Sequence, residues 1–472
     1  MNTSDPDTSE RPPLAKAFLK ALQGLYADQD LLTGPGNCWA YGYDNSRQQA
    51  MPDAVCFARS HQQVLDTLRL CHQHRVPLIA RGKGTGTTGA TVPAEGGIVL
   101  STERLRERLE IDPANRLAVV SPGFTNQEVQ DAAAEHGFFW PPDPTSAAVC
   151  TVGGNLAYNS AGPRAVKYGT PRENTLGLLA VTGSGDSLRT GVRTTKGVVG
   201  YDLTRLLIGS EGTLAVITEA TLRLTPLAQA KRTLQATYRS IDAAARAVSS
   251  LMAQPVTPCA LEFMDGQAIA MVRDYSDLGL PAEAQAMLMI EVDGSKASID
   301  ADAEQLRETA RNDGCLEVVL ARSDEEIATL WRTRKALSPA LRNVAPKKIN
   351  EDVVVPVSEL PRLINGLGEL SHKHAITIVN FGHAGNGNIH VNLLLDPDDP
   401  QQAAAANACL DEVFALVLGL GGTLSGEHGI GRVKREFVAR ELDATALALM
   451  HAIKQQFDPH NILNPGVGFP SA

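Results

Sequence analysis

Several things are scarce or missing in this chain, and each absence removes a class of protein. Cysteine is sparse: Cys38, Cys56, Cys71, Cys150, Cys259, Cys315 and Cys409 make seven, an odd number, and no CxxC occurs. This speaks against a disulfide framework and against a cysteine-bound iron–sulfur cluster. No uninterrupted apolar run approaches the roughly 18 residues that a membrane span needs. Met1 to Glu10 carry no basic n-region and no apolar h-region, so a secretory signal is not expected. Positive charge is in deficit, with 43 Lys and Arg against 53 Asp and Glu, a net −10. A nucleic-acid partner needs a basic face and is not expected either. An anionic small molecule, met by local cations, remains compatible. The expected location is cytoplasmic, extending to the inner face of a membrane as a peripheral protein.

What is present is an ordinary globular composition, 43% hydrophobic and 20% charged over 472 residues. At about 100–200 residues per domain, two or three domains are expected. Residues 1–13 read as disordered, and Leu14 to Tyr26 as an amphipathic helix with Phe18, Leu22 and Leu25 at helical spacing. From about Pro52, short apolar strands alternate with capped helices. Ser60 with Gln63 and Thr125 with Glu128 have the spacing of capping boxes. A second glycine-rich loop is expected over Thr151 to Gly162. Pro226 closes this part. Boundaries fall at 1–49 for an N-terminal arm and helix, 50–227 for a first domain, 228–420 for a second, and 421–472 for a C-terminal segment. In the second domain, helices are expected at Asp242 to Met252, Ser298 to Asn312, and Glu412 to Leu418, and Trp331 reads as the start of another.

Gly84-x-Gly86-x-x-Gly89 matches the dinucleotide fingerprint formally, but the context is wrong. That fingerprint needs a helix directly after the glycines, whereas this loop runs into Ala90-Thr91-Val92-Pro93 and a strand. A nicotinamide site is rejected. Consecutive glycines still let backbone N–H groups converge as an anion nest, with threonine hydroxyls and the cations Arg81 and Lys83 close by. A ligand-free Gly-rich turn is the alternative reading of the same residues.

Val379 to Asn392 carries Asn386-Gly387 between two strand-like runs, the signal of a two-residue type I′ hairpin. A turn there sets His383 opposite His390, with Cβ atoms roughly 4.5–5.5 Å apart, close enough to share a metal ion. Two core-lining or surface histidines explain the pair equally well from spacing alone. Glu427-His428, flanked by Gly426 and Gly429, adds a carboxylate and an imidazole, or else an ordinary loop pair.

Arg81-Gly-x-Gly-Thr-x-x-x-Gly, Thr151-Val-Gly-Gly-Asn-Leu-Ala-x-Asn-Ser-Ala-Gly and Gly209-Ser-Glu-Gly-Thr-Leu resemble the FAD-binding domain of the flavoenzyme superfamily that includes vanillyl-alcohol oxidase. Within it the chain is most similar to the D-2-hydroxyacid dehydrogenases: D-lactate dehydrogenase, D-2-hydroxyglutarate dehydrogenase and the glycolate oxidase catalytic subunit. The likeness runs from about residue 50 to the C-terminus. It implies an α+β fold, a PCMH-type FAD-binding domain of two α/β subdomains joined to a cap with an antiparallel sheet and flanking helices. It places Arg81, Gly82, Lys83, Gly84, Thr85, Gly86, Thr87 and Gly89 around the FAD pyrophosphate. Pro144, Thr145, Gly153, Gly154, Asn159, Gly162, Gly212, Thr213, Ile217 and Asn464 would lie along the rest of the cofactor. No histidine occurs at 81–89, so FAD is expected to be non-covalent. The resemblance makes His383, His390 and Glu427 ligands of a divalent metal, zinc or manganese, and His428 the proton acceptor. Arg334 would pair with a substrate carboxylate, beside Ser338 and Asn392. The expected partners are a small 2-hydroxyacid and an electron acceptor (a quinone, a cytochrome or an electron-transfer flavoprotein), with a homodimer as a compatible assembly.

One departure stands out. The hydroxyglutarate enzymes have a lysine where this chain, aligned from Pro356, has Asn350; Lys348 falls two residues early. That favours a monocarboxylate such as D-lactate. The rivals are D-2-hydroxyglutarate dehydrogenase, an O2-using oxidase of the same superfamily, and a non-catalytic flavoprotein subunit.

Overall fold

The computed structural model describes residues 14–273, 280–341 and 344–470. The expected disordered arm, 1–13, lies outside them. The described chain divides into two compact units: a first made of 14–161, 169–227 and 427–470, and a second made of 162–168 and 228–426.

The first unit holds two main sheets, besides the two-stranded pair Phe138–Phe139 with Thr225–Pro226. The smaller has the strand order Leu31–Leu32, Ala54–Phe57, Ile98–Ser101, Leu78–Arg81. Its last three strands are parallel. Ala54–Phe57 and Ile98–Ser101 are buried at every position, which is why they read as continuous apolar runs rather than alternating ones. The helices Lys16–Leu25 and His61–His74 cover this sheet, burying Phe18 and Leu22 with Val64, Leu68 and Cys71. Ser60 caps the second helix by accepting from Gln63 N. The larger sheet is antiparallel, ordered Leu109–Asp112, Leu117–Val120, Ala215–Arg223, Thr175–Thr182, Ser187–Gly191. The helix Asn126–Ala134 opens with a full capping box between Thr125 and Glu128. The C-terminal tail inserts here as well: Leu78 N donates to Ile462 O (2.7 Å), and Ile462 and Leu463 join the small sheet's core.

The second unit is one antiparallel sheet of seven strands, ordered Cys315–Leu320, Ala230–Tyr238, Ala286–Gly294, Ala260–Asp265, Thr377–His383, Asn388–Leu395, Lys347–Val354. The helices Ile241–Ala253, Leu360–His374 and Pro400–Gly419 pack as one group. Gly266–Arg273 and Asp324–Ala340 form another, closing a core of Met264, Ile269, Met287, Leu337, Leu341, Val379 and Phe381.

Three local expectations need correction. Trp331 is not a helix start but lies inside Asp324–Ala340, whose first turn carries Asp324, Glu325 and Glu326, as a helix N-terminus favours. The helix expected from Glu412 begins at Pro400, because Asp399 accepts from Gln401 N and Gln402 N, and Pro400 sits in the first turn. The segment read as a second glycine-rich loop holds a helix, Val152–Tyr158; Thr151 caps it and Asn159, with φ 56°, ends it.

Candidate functional site

The paired strands Thr377–His383 and Asn388–Leu395 do not meet in the register that a two-residue turn gives. Phe381, not His383, is opposite His390. Ala384–Asn386 forms a 3-10 turn, and only Gly387 takes the left-handed conformation, at φ 73°. A type I′ turn needs positive φ at both central residues. The slip is two residues, and the side-chain period of a strand is also two, so His383 stays on the His390 face. The rings stand 5.3 Å apart, centroid to centroid, nearly perpendicular at 82°.

That face is polar across four neighbouring strands. Glu262 is directly opposite His383, and Asp352 directly opposite His390. Glu262 is 1% exposed and holds two partners: His383 Nδ1 at 2.6 Å from Oε1, and the cation Arg334, whose Nε donates to Oε2 at 2.7 Å. Burial pushes the Glu262 carboxyl up, but His383 and Arg334 outweigh it and hold it below its ordinary value. Nδ1–H donation to Glu262 leaves the His383 lone pair on Nε2, the arrangement of a metal-ligating imidazole with an orienting carboxylate. The Arg334 guanidinium lies over the Phe381 ring, 4.9 Å from its centroid. Its bond to Glu262 commits one of five donors. Ser338 shares the helix with Arg334, but its side chain lies outside the described residues.

Asp352 is fully buried. Its carboxylate accepts from Asn388 Nδ2 (2.7 Å), Ser425 Oγ (3.2 Å) and Gly426 N (2.9 Å), and lies 3.8 Å from His390 Nδ1. Asn392, which the resemblance places against substrate, stands on the same strand as His390. The residue is fully buried, its Nδ2 donates to Val379 O and His390 O, and its Oδ1 accepts from Asn350 Nδ2. These bonds tie neighbouring strands of the sheet together.

In the first unit the loop Arg81–Gly89 leaves the buried strand Leu78–Arg81. Among the described residues, no backbone N–H from Lys83 to Thr88 donates to another group of the protein. With the Thr85 and Thr87 hydroxyls these form a donor set suited to a pyrophosphate. The two cations are turned elsewhere. Arg81 is buried and donates through Nη1 to Tyr43 O and Thr91 Oγ1, and Lys83 Nζ pairs with Glu103 at 2.7 Å. Gly82 lies against Thr151, and Gly86 against Tyr158. Gly153 and Gly154 lie in the first turns of Val152–Tyr158, and Asn159 Oδ1 accepts from Thr170 Oγ1 and Arg172 N. Pro144 is half-buried and Thr145 exposed. Ile217 is part of the larger sheet's core. Asn464 is a staple: its Oδ1 accepts from Ala80 N, and its Nδ2 donates to Ala90 O and Glu211 O. Gly212, with φ 71°, packs on it, and Thr213 Oγ1 donates to Ser210 O. Gly162 falls in the second unit.

Glu427 and His428 open the last segment of the first unit. Glu427 O accepts from Ser160 Oγ (3.2 Å) and Glu427 Oε2 from Ala161 N (3.2 Å), while His428 O accepts from Thr88 Oγ1 (3.3 Å). Glu262 and Asp352 escaped the sequence reading. The available signal was a lone acidic residue inside the otherwise apolar run Cys259 to Met264, and an Asp two residues before an apolar strand end.

The backbone donors of one unit suit a diphosphate-containing cofactor, and the other unit carries a carboxylate–histidine–arginine face. Residues 52–191 match the family model of an FAD binding domain, and 227–467 that of the FAD linked oxidases, C-terminal domain. The chain belongs to the FAD-linked oxidase family and is a flavoprotein. It is 40% identical to glycolate oxidase subunit GlcD of Bacillus subtilis, covering 91% of this chain and 92% of that one. It is 36% identical to the D-lactate dehydrogenase of Archaeoglobus fulgidus, over 90% and 95% of the two chains. With the D-2-hydroxyglutarate dehydrogenase of Xanthomonas citri identity is 34%, over 94% and 95%. The fold is shared with p-cresol methylhydroxylase, at TM-score 0.80 and 18% identity, over 95% and 96% of the two chains. Among the described residues no helix is long and apolar enough to cross a membrane.

Proposed function

We propose that this flavoprotein oxidises a D-2-hydroxyacid, D-lactate first, to the 2-oxoacid, and passes the electrons to a quinone, cytochrome or electron-transfer flavoprotein. The observation that carries the reading is the face on which Glu262 joins His383 to Arg334 beside His390. In this reading 50–227 is the FAD domain, 228–420 the cap, and 421–472 the C-terminal segment. The nest at Arg81–Gly89 holds the pyrophosphate through backbone N–H groups and threonine hydroxyls, without a covalent histidine link.

His383, His390 and Glu427 would hold a divalent cation, zinc or manganese. Two imidazoles and a carboxylate suit such an ion and leave a coordination position open. Support for Glu427 comes from the chain itself: it follows Gly426, whose N donates to the carbonyl and the carboxylate of Asp352, opposite His390. When bound, the cation would supply a Lewis acid for the substrate hydroxyl and the flavin a hydride acceptor. Arg334 binds the substrate carboxylate with the donors not committed to Glu262. His428 takes the hydroxyl proton as the Cα hydride leaves, so the products are the 2-oxoacid, a proton on the imidazole and reduced cofactor.

An anaerobic screen of flavin bleaching with D- and L-2-hydroxyacids tests the reading. D-lactate is expected to bleach and L-lactate not; no bleaching by any D-2-hydroxyacid would favour a non-catalytic subunit. His428→Ala should keep FAD and lose turnover. His390→Ala should lower metal affinity at least about 10–100-fold, the loss seen for outer-shell partners alone, and full metal occupancy by elemental analysis would remove it as a ligand. One observation favours D-2-hydroxyglutarate as the second substrate. Lys348, Asn350 and Asp352 alternate along one strand, so Lys348 shares the polar face two residues from Asn350. Faster reduction by D-2-hydroxyglutarate than by D-lactate would assign it the second carboxylate.

A further inference from the structure

Glu211 belongs to Gly209–Leu214 but has no role in the chemistry above. It is 6% exposed and takes the left-handed conformation at φ 53°, uncommon for a residue with a side chain. Its carboxylate reaches two consecutive amides: Oε1 accepts from Ile430 N (2.6 Å) and Oε2 from Gly431 N (2.7 Å). Burial pushes the carboxyl up to about 7, against these two bonds and the charge of Lys434. The segment it grips has no helix or strand from Glu427 to Ile430 and contains Gly429 and Gly431, so its own backbone does little to hold a conformation.

Among the other grips on the segment are Ser160 Oγ on Glu427 O, Ala161 N on Glu427 Oε2, Gly468 N on Gly431 O, and Thr88, whose Oγ1 donates to His428 O and whose O accepts from Arg432 N at 2.8 Å. Thr88, Ser160 and Glu211 each come from a different one of the three stretches assigned to the cofactor: Arg81–Gly89, Thr151–Gly162 and Gly209–Leu214. We propose that Glu211 is a positioning residue: by clamping the Ile430 and Gly431 amides it fixes His428 in the place where it receives the substrate proton. The inference rests on the reading of His428 as proton acceptor. It ties the base to the flavin-binding stretches within a single unit, so the base is set by the same backbone that carries the cofactor.

Glu211→Gln in the FAD-loaded enzyme tests it. The amide keeps the size of the side chain but puts an NH2 against one of two N–H donors. Bound flavin should be unchanged. Turnover should fall about 10–100-fold, the cost of misplacing a reacting group by about an ångström, with KM for D-lactate little altered. Hydrogen exchange at the Ile430 and Gly431 amides should be about tenfold faster or more, since a lost protecting bond opens them to solvent. Thr88→Ala, which loosens the same segment at His428 O, should show the same pattern at smaller amplitude and serves if Glu211→Gln does not fold. Wild-type turnover and exchange in Glu211→Gln beside an inactive His428→Ala would overturn this inference alone. Retained turnover in His428→Ala would overturn the proton-acceptor reading and this inference together. Loss of flavin with unchanged exchange would make Glu211 a fold residue and overturn it as well.

Discussion

The two units make polar sites in opposite ways. In the second, charged side chains stand on strands and face one another across the sheet. In the first, the loop Arg81–Gly89 offers main-chain N–H groups, and its two cations are engaged with protein acceptors. A buried charge on a strand must be matched by a partner or it becomes a penalty. Glu262 shows this, held between His383 and Arg334 at 2.6 and 2.7 Å. A backbone nest needs no such matching, but it depends on the dihedral angles that turn the amides inward. The side-chain site should therefore be sensitive to residue identity, and the loop to conformation.

The largest effect is expected at Glu262. Glu262→Ala leaves His383 and Arg334 buried without their carboxylate, and breaking a buried pair in this way costs about 3–5 kcal/mol. Urea unfolding should show that loss, with turnover abolished. Glu262→Gln keeps one acceptor oxygen and should be intermediate. If Glu262→Ala unfolds like the parent, the face is not a matched charge cluster, and the contrast between the units fails on this side.

Gly84→Ala probes the other side. Gly84 has φ 67°, and an added Cβ would lie 2.1 Å from Arg81 Nη2. Left-handed backbone costs an L-residue about 1–2 kcal/mol, and Arg81 must also move. The expected result is a loss in FAD affinity of about tenfold or more, at 1.4 kcal/mol per factor of ten, read by titrating FAD into the stripped protein. Thr87→Ala removes one hydroxyl donor and leaves the backbone alone. Its loss should be smaller, near the ~1 kcal/mol of one hydrogen bond. If Thr87→Ala proved the more damaging, the loop would be binding through side chains.

Much of this organisation was legible in the sequence, and the exceptions share a physical cause. The family and fold class came from three ordered glycine motifs, in which Gly84, Gly89, Gly209 and Gly212 take the left-handed conformation that side chains disfavour. The Thr125–Glu128 capping box is a local device and was readable as one. The hairpin was located by Asn386-Gly387, but its register was not, because turn length depends on whether Asn386 takes positive φ, and Ala384–Asn386 instead wind into a 3-10 turn. The common face of His383 and His390 survived that error only because the slip was even. Glu262 and Asp352 were not legible. Their partners lie 121 and 38 positions away, and strand periodicity says which face a residue is on, not which strand lies alongside. The partners of Asn392 were not legible for the same reason: Val379 O and Asn350 are both on neighbouring strands.

The smallest effect is expected at Lys83, and it is the sharpest test of the contrast. Lysine beside a glycine-rich loop suggests a phosphate-binding cation, and the resemblance to flavoenzymes places it there. In the structure its ammonium pairs with Glu103, and the side chain is 42% exposed. An exposed pair of this kind contributes about 0–1 kcal/mol and is screened by salt. Lys83→Ala should therefore change stability by less than about 1 kcal/mol and FAD affinity by less than about threefold, since 1.4 kcal/mol is needed for tenfold. The affinity should also have little salt dependence, because the main-chain donors carry no net charge. A loss of tenfold or more that fades as salt is raised would mean that Lys83 leaves Glu103 for the pyrophosphate. The first unit would then bind its anion as the second binds Glu262, through a matched side-chain charge.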